Sequence, residues 1–203
     1  LAVVALLACT FSSAISGSAI ADAAAIGGIL IPAMIAQGYD RRFASTLVAS
    51  ASTIGPVIPP SIPMILYGVM ASVSIGDLFM AGVVPGILMA AALMVYVFYY
   101  GVKNNIKGRE NKPTFGEIMH GLKDASLALL LPIIIIGGFR TGVFTATESG
   151  VIAVVYALLV GSLVYKELDW KALPKIFLET AVSSATILFV IGNATLFTWL
   201  LSY

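Results

Sequence analysis

The segment 51-ASTIGPVIPPSIPMILYG-68 combines an apolar composition with residues that do not continue an α-helix. Gly55 and four prolines, at positions 56, 59, 60 and 63, fall within nine positions. Each proline removes the helical hydrogen bond to the carbonyl four residues earlier, here at positions 52, 55, 56 and 59. Unpaired carbonyls in lipid cost several kcal/mol, so such a segment persists only where protein or a watery cavity covers it. The sequence therefore predicts a broken helix.

The composition predicts a polytopic membrane protein. The chain has 203 residues, of which 60% are hydrophobic and only 10% are charged, whereas soluble domains carry about 25% charged residues. A single cysteine and a single histidine exclude an internal disulfide, a thiolate cluster and a histidine metal site. A net charge of +1 gives no reason to expect a nucleic-acid partner.

The apolar residues fall into runs that predict an all-α fold. The first two runs are each shorter than the roughly 20 residues of a membrane span, so we expect them to form a re-entrant hairpin. The runs cover about 1–15, 19–36, 43–72, 78–102, 118–139, 146–165 and 176–201. The predicted organisation is a first repeat over 1–102 (hairpin 1–36, broken helix 43–72, transmembrane helix 78–102), a cytoplasmic linker over 103–113, and the start of a second repeat over 114–203.

Basic residues predict the orientation. They cluster in 40-DRR-42, 103-KNNIKGRENK-112 and 166-KELDWKALPK-175, and short loops rich in Lys and Arg stay on the cytoplasmic side. All three segments reach the cytoplasm only if the hairpin over 1–36 enters and leaves on the same face. This arrangement is the predicted topology.

The turn of the predicted hairpin, 16-SGSAIAD-22, carries polar groups inside an apolar region. Gly17 lets the backbone turn, Ser16 and Ser18 supply oxygens, and Ser18 can cap the following helix. Asp22 is an acid within an apolar run, and such residues are functional candidates. An acid in the first turn of a helix also favours the positive end of its dipole. Both interpretations of Asp22 stay open.

The broken segment has the donors of a small-cation site. Freed carbonyls, including those of Gly55, Pro56 and Pro59, would stand beside the hydroxyls of Ser50, Ser52, Thr53 and Ser61. Unwound backbone of this kind coordinates Na⁺ in secondary transporters. One proline would favour a simple kink, whereas four with a glycine favour a binding site.

A separate motif, 145-TATE-148, predicts a helix capping box. Thr145 would be the N-cap and Glu148 would lie three positions into the helix. The capping role explains both residues without a function, so Glu148 is not assigned as a ligand. A functional role stays open, because 142-GVFTATES-149 is an outward break between two apolar runs.

Other functional classes fit less well. An ion channel can also use rings of carbonyls, and it stays the alternative, together with a broken-helix transporter that works without a binding protein. An intramembrane serine protease would need a membrane-embedded base near Ser16 or Ser18, and His120, the sole histidine, falls in a predicted interfacial segment. The chain is therefore not expected to be an enzyme.

Four long segments resemble the large membrane subunit of the tripartite ATP-independent periplasmic (TRAP) transporters, and the similarity extends over essentially the whole chain. The segments are 16-SGSAIADAAAIGGILIPAM-34, 38-GYDRRFASTLVASASTIGPVIPPSIPMILYGV-69, 76-GDLFMAGVVPG-86 and 141-TGVFTATESGVIAVVYALLVG-161. The last one departs from the family, which often has proline where this chain has Ala146.

The resemblance implies a function and partners. It implies a sodium-coupled, elevator-type secondary transporter for organic anions, such as C4-dicarboxylates, keto acids or sialic acids, in the bacterial inner membrane. It implies two inverted repeats, and as partners a small four-helix membrane subunit and a periplasmic substrate-binding protein, within membrane lipid. A second hairpin and a second broken helix would follow Tyr203. The chain, which starts at Leu1 inside an apolar run, is expected to be a fragment cut at both ends.

The resemblance and the residue chemistry together define a candidate site. By resemblance, the hairpin tip and the break match the family's first sodium-site region. Na⁺ is the expected coupling ion, and no other cofactor is expected. The candidate sodium and substrate residues are Ser16, Gly17, Ser18, Asp22, Ser52, Thr53, Gly55, Pro56 and Pro59, with Ser16, Ser18, Ser52 and Gly55 as candidate Na⁺ ligands.

Overall fold

The computed structural model describes residues 1–104, 106 and 115–202. Over these ranges the chain is helical and has no β-strand. The helices are α1 (Ala2–Ser16), α2 (Ala19–Ala36), α3 (Arg41–Ser52), α4 (Ile62–Ala71), α5 (Ile75–Lys103), α6 (Phe115–Arg140), α7 (Ala146–Leu159) and α8 (Leu173–Leu201), and a π-helical turn over Val160–Val164 follows α7. The predicted all-α membrane fold is confirmed.

The first two helices form a hairpin. Helix α1 ends at Ser16, and α2 begins two residues after it ends, at Ala19. Gly17 has a φ of +60°, a left-handed conformation that glycine adopts without a side-chain clash. Ser18 is extended and its Oγ accepts a hydrogen bond from the Ala21 N–H at 3.4 Å, which caps α2.

The predicted interruption of the third apolar run is confirmed. Helix α3 ends at Ser52 and α4 begins at Ile62, with nine non-α residues between them, at positions 53–61. Asp40 caps the start of α3, because its Oδ2 accepts from the N–H groups of Arg42 and Phe43 at 3.0 and 3.2 Å. Ser61 caps α4, and a proline follows within the first two positions of that helix, where it removes no helical bond.

Helices α1, α2 and α3 pack against one another around one core. Hydrophobic attraction between helices is absent in lipid, so close van der Waals contact holds them together, and small residues allow that contact. The buried residues of this core are Ala2, Ala5, Leu6, Cys9, Met34, Phe43, Ala44, Leu47, Val48, Ala51, Ile54 and Val97. Its many alanines explain how three helices approach so closely.

Helix α5 packs against α4 and against the break. A Cβ at Gly82 would collide with the Val57 carbonyl oxygen and with the Met64 side chain. Only a glycine at this position lets the α5 backbone approach the interrupted segment. The break is therefore covered in part by α5.

Four helices are long and apolar enough to cross a membrane: Ala19–Ala36, Ile75–Lys103, Thr147–Val164 and Leu173–Leu201. The first of these has 18 residues, so the prediction that the second apolar run is too short to cross is wrong on length alone. At 1.5 Å per residue, 18 residues extend about 27 Å, close to the roughly 30 Å of a hydrocarbon core. The prediction that the hairpin over 1–36 enters and leaves on the same face then depends only on the positions of the basic loops.

The predicted crossing at 118–139 stays a prediction. Helix α6 has 26 residues, but within the described residues its apolar part, Ala125–Gly138, is shorter than a span. The predicted linker 103–113 falls largely outside the described residues. The division of the chain into two repeats likewise stays a prediction.

The chain forms two compact units, Leu1–Val154 and Val155–Tyr203. In the second unit, the run expected to be an ordinary helix up to residue 165 ends in the π-helical turn instead. The Ser162 hydroxyl donates to the Leu158 carbonyl at 2.5 Å, and such back-bonding bends helices. Helix α8 follows with 29 residues and carries an exposed Lys175–Glu179 pair at 3.8 Å.

Candidate functional site

A buried carboxylate connects the two arms of the hairpin just below its tip. Asp22 is only 1% exposed, and its Oδ1 accepts hydrogen bonds from Ser12 Oγ at 2.6 Å and Ser16 Oγ at 2.8 Å. Both serines belong to α1 and Asp22 belongs to the first turn of α2. Two side-chain hydrogen bonds thus join α1 to the first turn of α2 and fix the two arms relative to each other.

The same network reaches the tip itself. The Ser18 N–H donates to Ser16 Oγ at 3.1 Å, and the Ser16 hydroxyl in turn donates to Asp22. The Asp22 N–H donates back to the Ser18 carbonyl at 3.1 Å. The proton of the Ser16 hydroxyl is therefore committed to Asp22, and one lone pair of that oxygen is committed to Ser18.

The break satisfies part of its own backbone. The Ser52 carbonyl accepts from the Gly55 N–H at 3.1 Å, and the Pro56 carbonyl accepts from the Ser61 hydroxyl at 2.6 Å. The expectation that both carbonyls are free is thus wrong, because a tighter turn and a serine side chain replace the lost helical partners. Among the described residues, no hydrogen bond reaches the carbonyls of Gly55 and Pro59.

The hairpin tip lies directly against the break. A Cβ added to Gly17 would be 2.8 Å from the Pro60 carbonyl oxygen, 3.1 Å from the Ile62 nitrogen and 3.2 Å from the Ser61 Cα. These distances are shorter than normal van der Waals contact, so backbone packs on backbone here. Two segments more than 40 positions apart form one buried site.

Helix ends meet at this contact. Ser18 caps the N-terminus of α2, and Ser61, which is fully buried, caps the N-terminus of α4. Each N-terminus carries about half a positive charge. Asp22 lies in the first turn of α2, where an acid favours the positive end of the helix dipole. Two capped helix starts and the buried backbone of the break therefore meet at one place in the fold.

A comparison with protein families identifies the fold. The model of the family described as tripartite ATP-independent periplasmic transporter, DctM component, matches residues 1–203 of this chain.

The chain belongs to this family.

Relatives in several bacteria resemble this TRAP permease chain over most of its length. The chain is 40% identical over 98% of its residues to the 2,3-diketo-L-gulonate TRAP transporter large permease protein of Escherichia coli (strain K12) and covers 47% of that protein. It is 38% identical over 100% of its residues to the C4-dicarboxylate TRAP transporter large permease protein of Pseudomonas aeruginosa, and covers 47% of it. For the sialic acid TRAP transporter large permease protein of Vibrio cholerae the identity is 38%, over 97% of this chain and 46% of that protein.

The TRAP permease chain therefore spans about half the length of these relatives. These relatives are transporter permeases and not enzymes, which agrees with the expectation that the chain is not an enzyme. The named substrates are those of the relatives.

The predicted site residues of the TRAP permease chain lie at the hairpin tip, in the carboxylate network below it, and in or beside the break. Gly17 and Ser18 lie at the tip contact, Ser16 and Asp22 form the carboxylate network below it, and Gly55 and Pro59 are buried in the break. Ser52 is also buried, but its hydroxyl donates to the Val48 carbonyl at 2.9 Å and its side chain contacts Cys9 of α1. Thr53 is exposed, and its hydroxyl donates to the Ser50 carbonyl at 2.7 Å. The role of each as an ion or substrate ligand stays a prediction.

Sequence reasoning left two residues out of the candidate set. Ser12 lies one helical turn before Ser16, so both serines face the same side of α1 and both reach Asp22. Ser61 was expected to begin the second half-helix and to offer its hydroxyl oxygen to a cation, yet that hydroxyl donates to the Pro56 carbonyl and closes the break. The signal for Ser12 was the four-residue spacing, and the signal for Ser61 was a serine followed closely by proline at a helix start.

The capping box predicted at Thr145 and Glu148 is confirmed. Glu148 Oε2 accepts from the Thr145 N–H at 2.7 Å and from its hydroxyl at 2.9 Å, and the Glu148 N–H donates to Thr145 Oγ1 at 3.3 Å. Each residue satisfies a backbone donor of the other. A local structural role accounts for both residues in the TRAP permease chain.

Proposed function

We propose that this chain forms the first ion-binding half of the large permease subunit of a Na⁺-coupled transporter that imports organic anions. The observation that carries the proposal is the backbone contact between Gly17 and residues 60–62, which joins the hairpin tip to the break. A kink that only shaped packing would not require a glycine with a positive φ at the hairpin tip, packed against the backbone of the break. The family assignment supports the same class of function.

The proposed ion ligands are backbone oxygens more than side chains. Hydroxyl protons of Ser16 and Ser52 are already donated within the fold, so these side chains can offer only a remaining lone pair. The Gly55 and Pro59 carbonyls are the strongest candidates, because no described residue bonds to either of them and both residues are buried. Carbonyls at an unwound helix are the usual Na⁺ ligands of broken-helix transporters.

The proposed substrate class follows from the field at the capped helix starts and from the relatives. The N-termini of α2 and α4 favour a carboxylate or another acidic group. Relatives are named for 2,3-diketo-L-gulonate, C4-dicarboxylates and sialic acid, all of which are acids. We propose an organic acid of this kind as the substrate.

The proposed setting is the inner membrane of a bacterium, with a small membrane subunit and a periplasmic binding protein as partners. The family to which the chain belongs is named for its periplasmic, tripartite organisation. Three components match that name if the binding protein delivers the acid and the two membrane subunits form the permease.

Transport assays with the full-length subunit test this function. The subunit, its membrane partner and the binding protein are reconstituted in vesicles, and uptake of labelled organic acids is measured with and without an inward Na⁺ gradient. We expect uptake that requires both the gradient and the binding protein. Uptake that proceeds equally with K⁺ in place of Na⁺ would contradict the sodium coupling, and single-channel currents would favour the channel alternative.

The proposed orientation places both hairpin ends and the C-terminal end of α5 in the cytoplasm. A cysteine at Val73, just before α5, or at Asn104, just after it, is introduced in a Cys9→Ala background. An impermeant thiol reagent added from the periplasmic side should label the cysteine at Val73 and leave the one at Asn104 unlabelled. The reverse labelling pattern would show that the hairpin has been placed on the wrong face.

A further inference from the structure

A cavity lies outside the tip site, between the start of α3 and the C-terminal part of α5. Its volume is about 270 Å³, and its wall includes the side chains of Asp40, Arg42, Tyr96 and Tyr100. This volume is just below the range of about 300 to 1,000 Å³ of pockets that hold whole small ligands, and it suits one small polar group. None of its wall residues takes part in the tip contact.

The cavity lies at the level of lipid headgroups. Helix α5, Ile75–Lys103, is long and apolar enough to cross the membrane, and Tyr96 and Tyr100 occupy its last turns. The end of a spanning helix reaches the membrane interface whichever way the helix points, and tyrosines concentrate there. The polar wall of the cavity therefore faces the region in which phospholipids present their phosphates.

The aromatic part of the wall is held rigidly. The Phe43 ring stacks on Tyr100 with centroids 3.5 Å apart and an interplanar angle of 6°. On its two other sides Phe43 contacts Tyr96 at 6.1 Å and Tyr39 at 5.9 Å. Rings fixed by such packing keep the shape of a pocket without a ligand, which lowers the entropic cost of binding.

Two residues of opposite charge, Asp40 and Arg42, line the same wall. The Asp40 carboxylate is fixed by the backbone N–H groups of Arg42 and Phe43, both of which bond to its Oδ2. A carboxylate has about four acceptor positions, so acceptor capacity remains after these two bonds. Arg42 presents a planar guanidinium, which suits a phosphate, and in the described part of the chain it forms no ion pair.

This pair of charges complements a zwitterion. We propose that the cavity binds the headgroup of phosphatidylethanolamine, with Arg42 on the phosphate and Asp40 on the ammonium group. Apolar side chains of Leu47 and Leu93 complete the wall and contact the glycerol and the first methylenes of the lipid. The proposal goes beyond transport and does not depend on the sodium site.

The opposing explanation is that Arg42 only marks the cytoplasmic side. The neighbouring residue separates the two explanations, because Arg41 carries the same charge and is exposed but is not part of the cavity wall. Arg41→Gln and Arg42→Gln thus remove the same charge at the same depth. Only the second change removes a ligand of the proposed lipid.

Native mass spectrometry of the full-length subunit, assembled with its membrane partner, tests the proposal. The complex is released from nanodiscs that contain equal amounts of phosphatidylethanolamine and phosphatidylglycerol, and the lipids that stay bound are counted. We expect Arg42→Gln to weaken retention of phosphatidylethanolamine about tenfold, which is the size of one lost charged hydrogen bond. Arg41→Gln should retain the lipid as the unmodified protein does. Equal retention by both variants would overturn the assignment.

A change at the carboxylate tests the choice of headgroup. Asp40→Asn keeps a good helix cap but removes the charge that faces the ammonium group. We expect this variant to bind both phospholipids alike, whereas the unmodified protein prefers phosphatidylethanolamine. An unchanged preference would show that Asp40 is not a ligand.

Two further measurements distinguish other occupants. Soluble phosphoethanolamine, added to the delipidated complex in detergent, should raise the melting temperature less than the lipid does, because it lacks the apolar contacts. An equal shift would identify a soluble phosphate compound as the ligand and overturn the lipid proposal. A photo-crosslinker at Thr46, a wall residue that is not a proposed ligand, should capture lipid, and capture of the partner subunit instead would show that protein fills the cavity.

Discussion

Replacing Gly17 with alanine tests the contact that defines the candidate site. Gly17 has a φ of +60° and lies at the tip of the hairpin, against the backbone of residues 60–62. Alanine adds a single methyl group and leaves the hydrophobicity of the segment nearly unchanged. The variant should therefore insert into the membrane normally but hold the tip and the break in the wrong relative position.

Two separate costs set the expected magnitude. A non-glycine residue in the left-handed region costs about 1–2 kcal/mol. The new methyl group would lie 2.8 Å from the Pro60 carbonyl oxygen and 3.1 Å from the Ile62 nitrogen, and forcing extra volume into a packed site costs about 1–3 kcal/mol. Their sum is about 2–5 kcal/mol. If about 1.4 kcal/mol of this cost is taken from the free energy of ion binding, the Na⁺ affinity drops tenfold.

The assay is organic-acid uptake by the full-length protein as a function of Na⁺ concentration, at matched protein levels. Two glycine variants serve as controls. Gly38→Ala changes a residue with a φ of +85° and no atom within 4 Å of the added Cβ, so it has the backbone cost without the collision. Gly28→Ala lies inside α2 in open space and should be neutral or stabilising by up to about 1 kcal/mol.

The expected result is a Na⁺ curve shifted at least tenfold, or uptake lost, in Gly17→Ala alone. If Gly17→Ala and Gly38→Ala give the same Na⁺ dependence as the unmodified protein, the tip contact has no part in ion binding. If both variants shift the curve equally, backbone strain and not the contact with the break is responsible.

Two further changes test the networks around the tip. Asp22→Asn weakens the bonds from Ser12 and Ser16 and should lower the melting temperature through a loss of about 1–2 kcal/mol in stability. The control, Asp77→Asn, changes an exposed first-turn acid of α5 and should lose only the dipole contribution of about 0.3–1 kcal/mol. Equal losses would show that Asp22 acts through the helix dipole alone. Ser61→Ala removes a helix cap and the bond to the Pro56 carbonyl, so thermal unfolding should show a loss of about 2–4 kcal/mol in stability. The control, Ser74→Ala, removes only an exposed cap and should lose about 1 kcal/mol. If Ser61→Ala loses no more than this control, the freed Pro56 carbonyl has found another partner.

Local sequence features determined the elements of this protein. Apolar runs marked helices to within a few residues, because a spanning helix must be apolar along its whole length and polar or glycine-rich residues end it. The prolines of the 51–68 segment located the break, since each one removes a specific hydrogen bond. The Thr145–Glu148 capping box was equally predictable, because both partners lie within one turn. The family, too, was recognisable from motifs along the chain.

Only the tertiary structure decided how those elements combine. Asp22 could be interpreted as a helix-end charge or as a functional acid from the sequence, and its burial beneath Ser12 and Ser16 became visible only when α1 and α2 were folded back on each other. Whether the Pro56 carbonyl was free also could not be read locally, because it depended on the rotamer of Ser61. The contact of Gly17 with residues 60–62 spans more than 40 positions. Helical periodicity reports which face of a helix is apolar but not which distant segment covers it, so the site itself exists only in the folded chain.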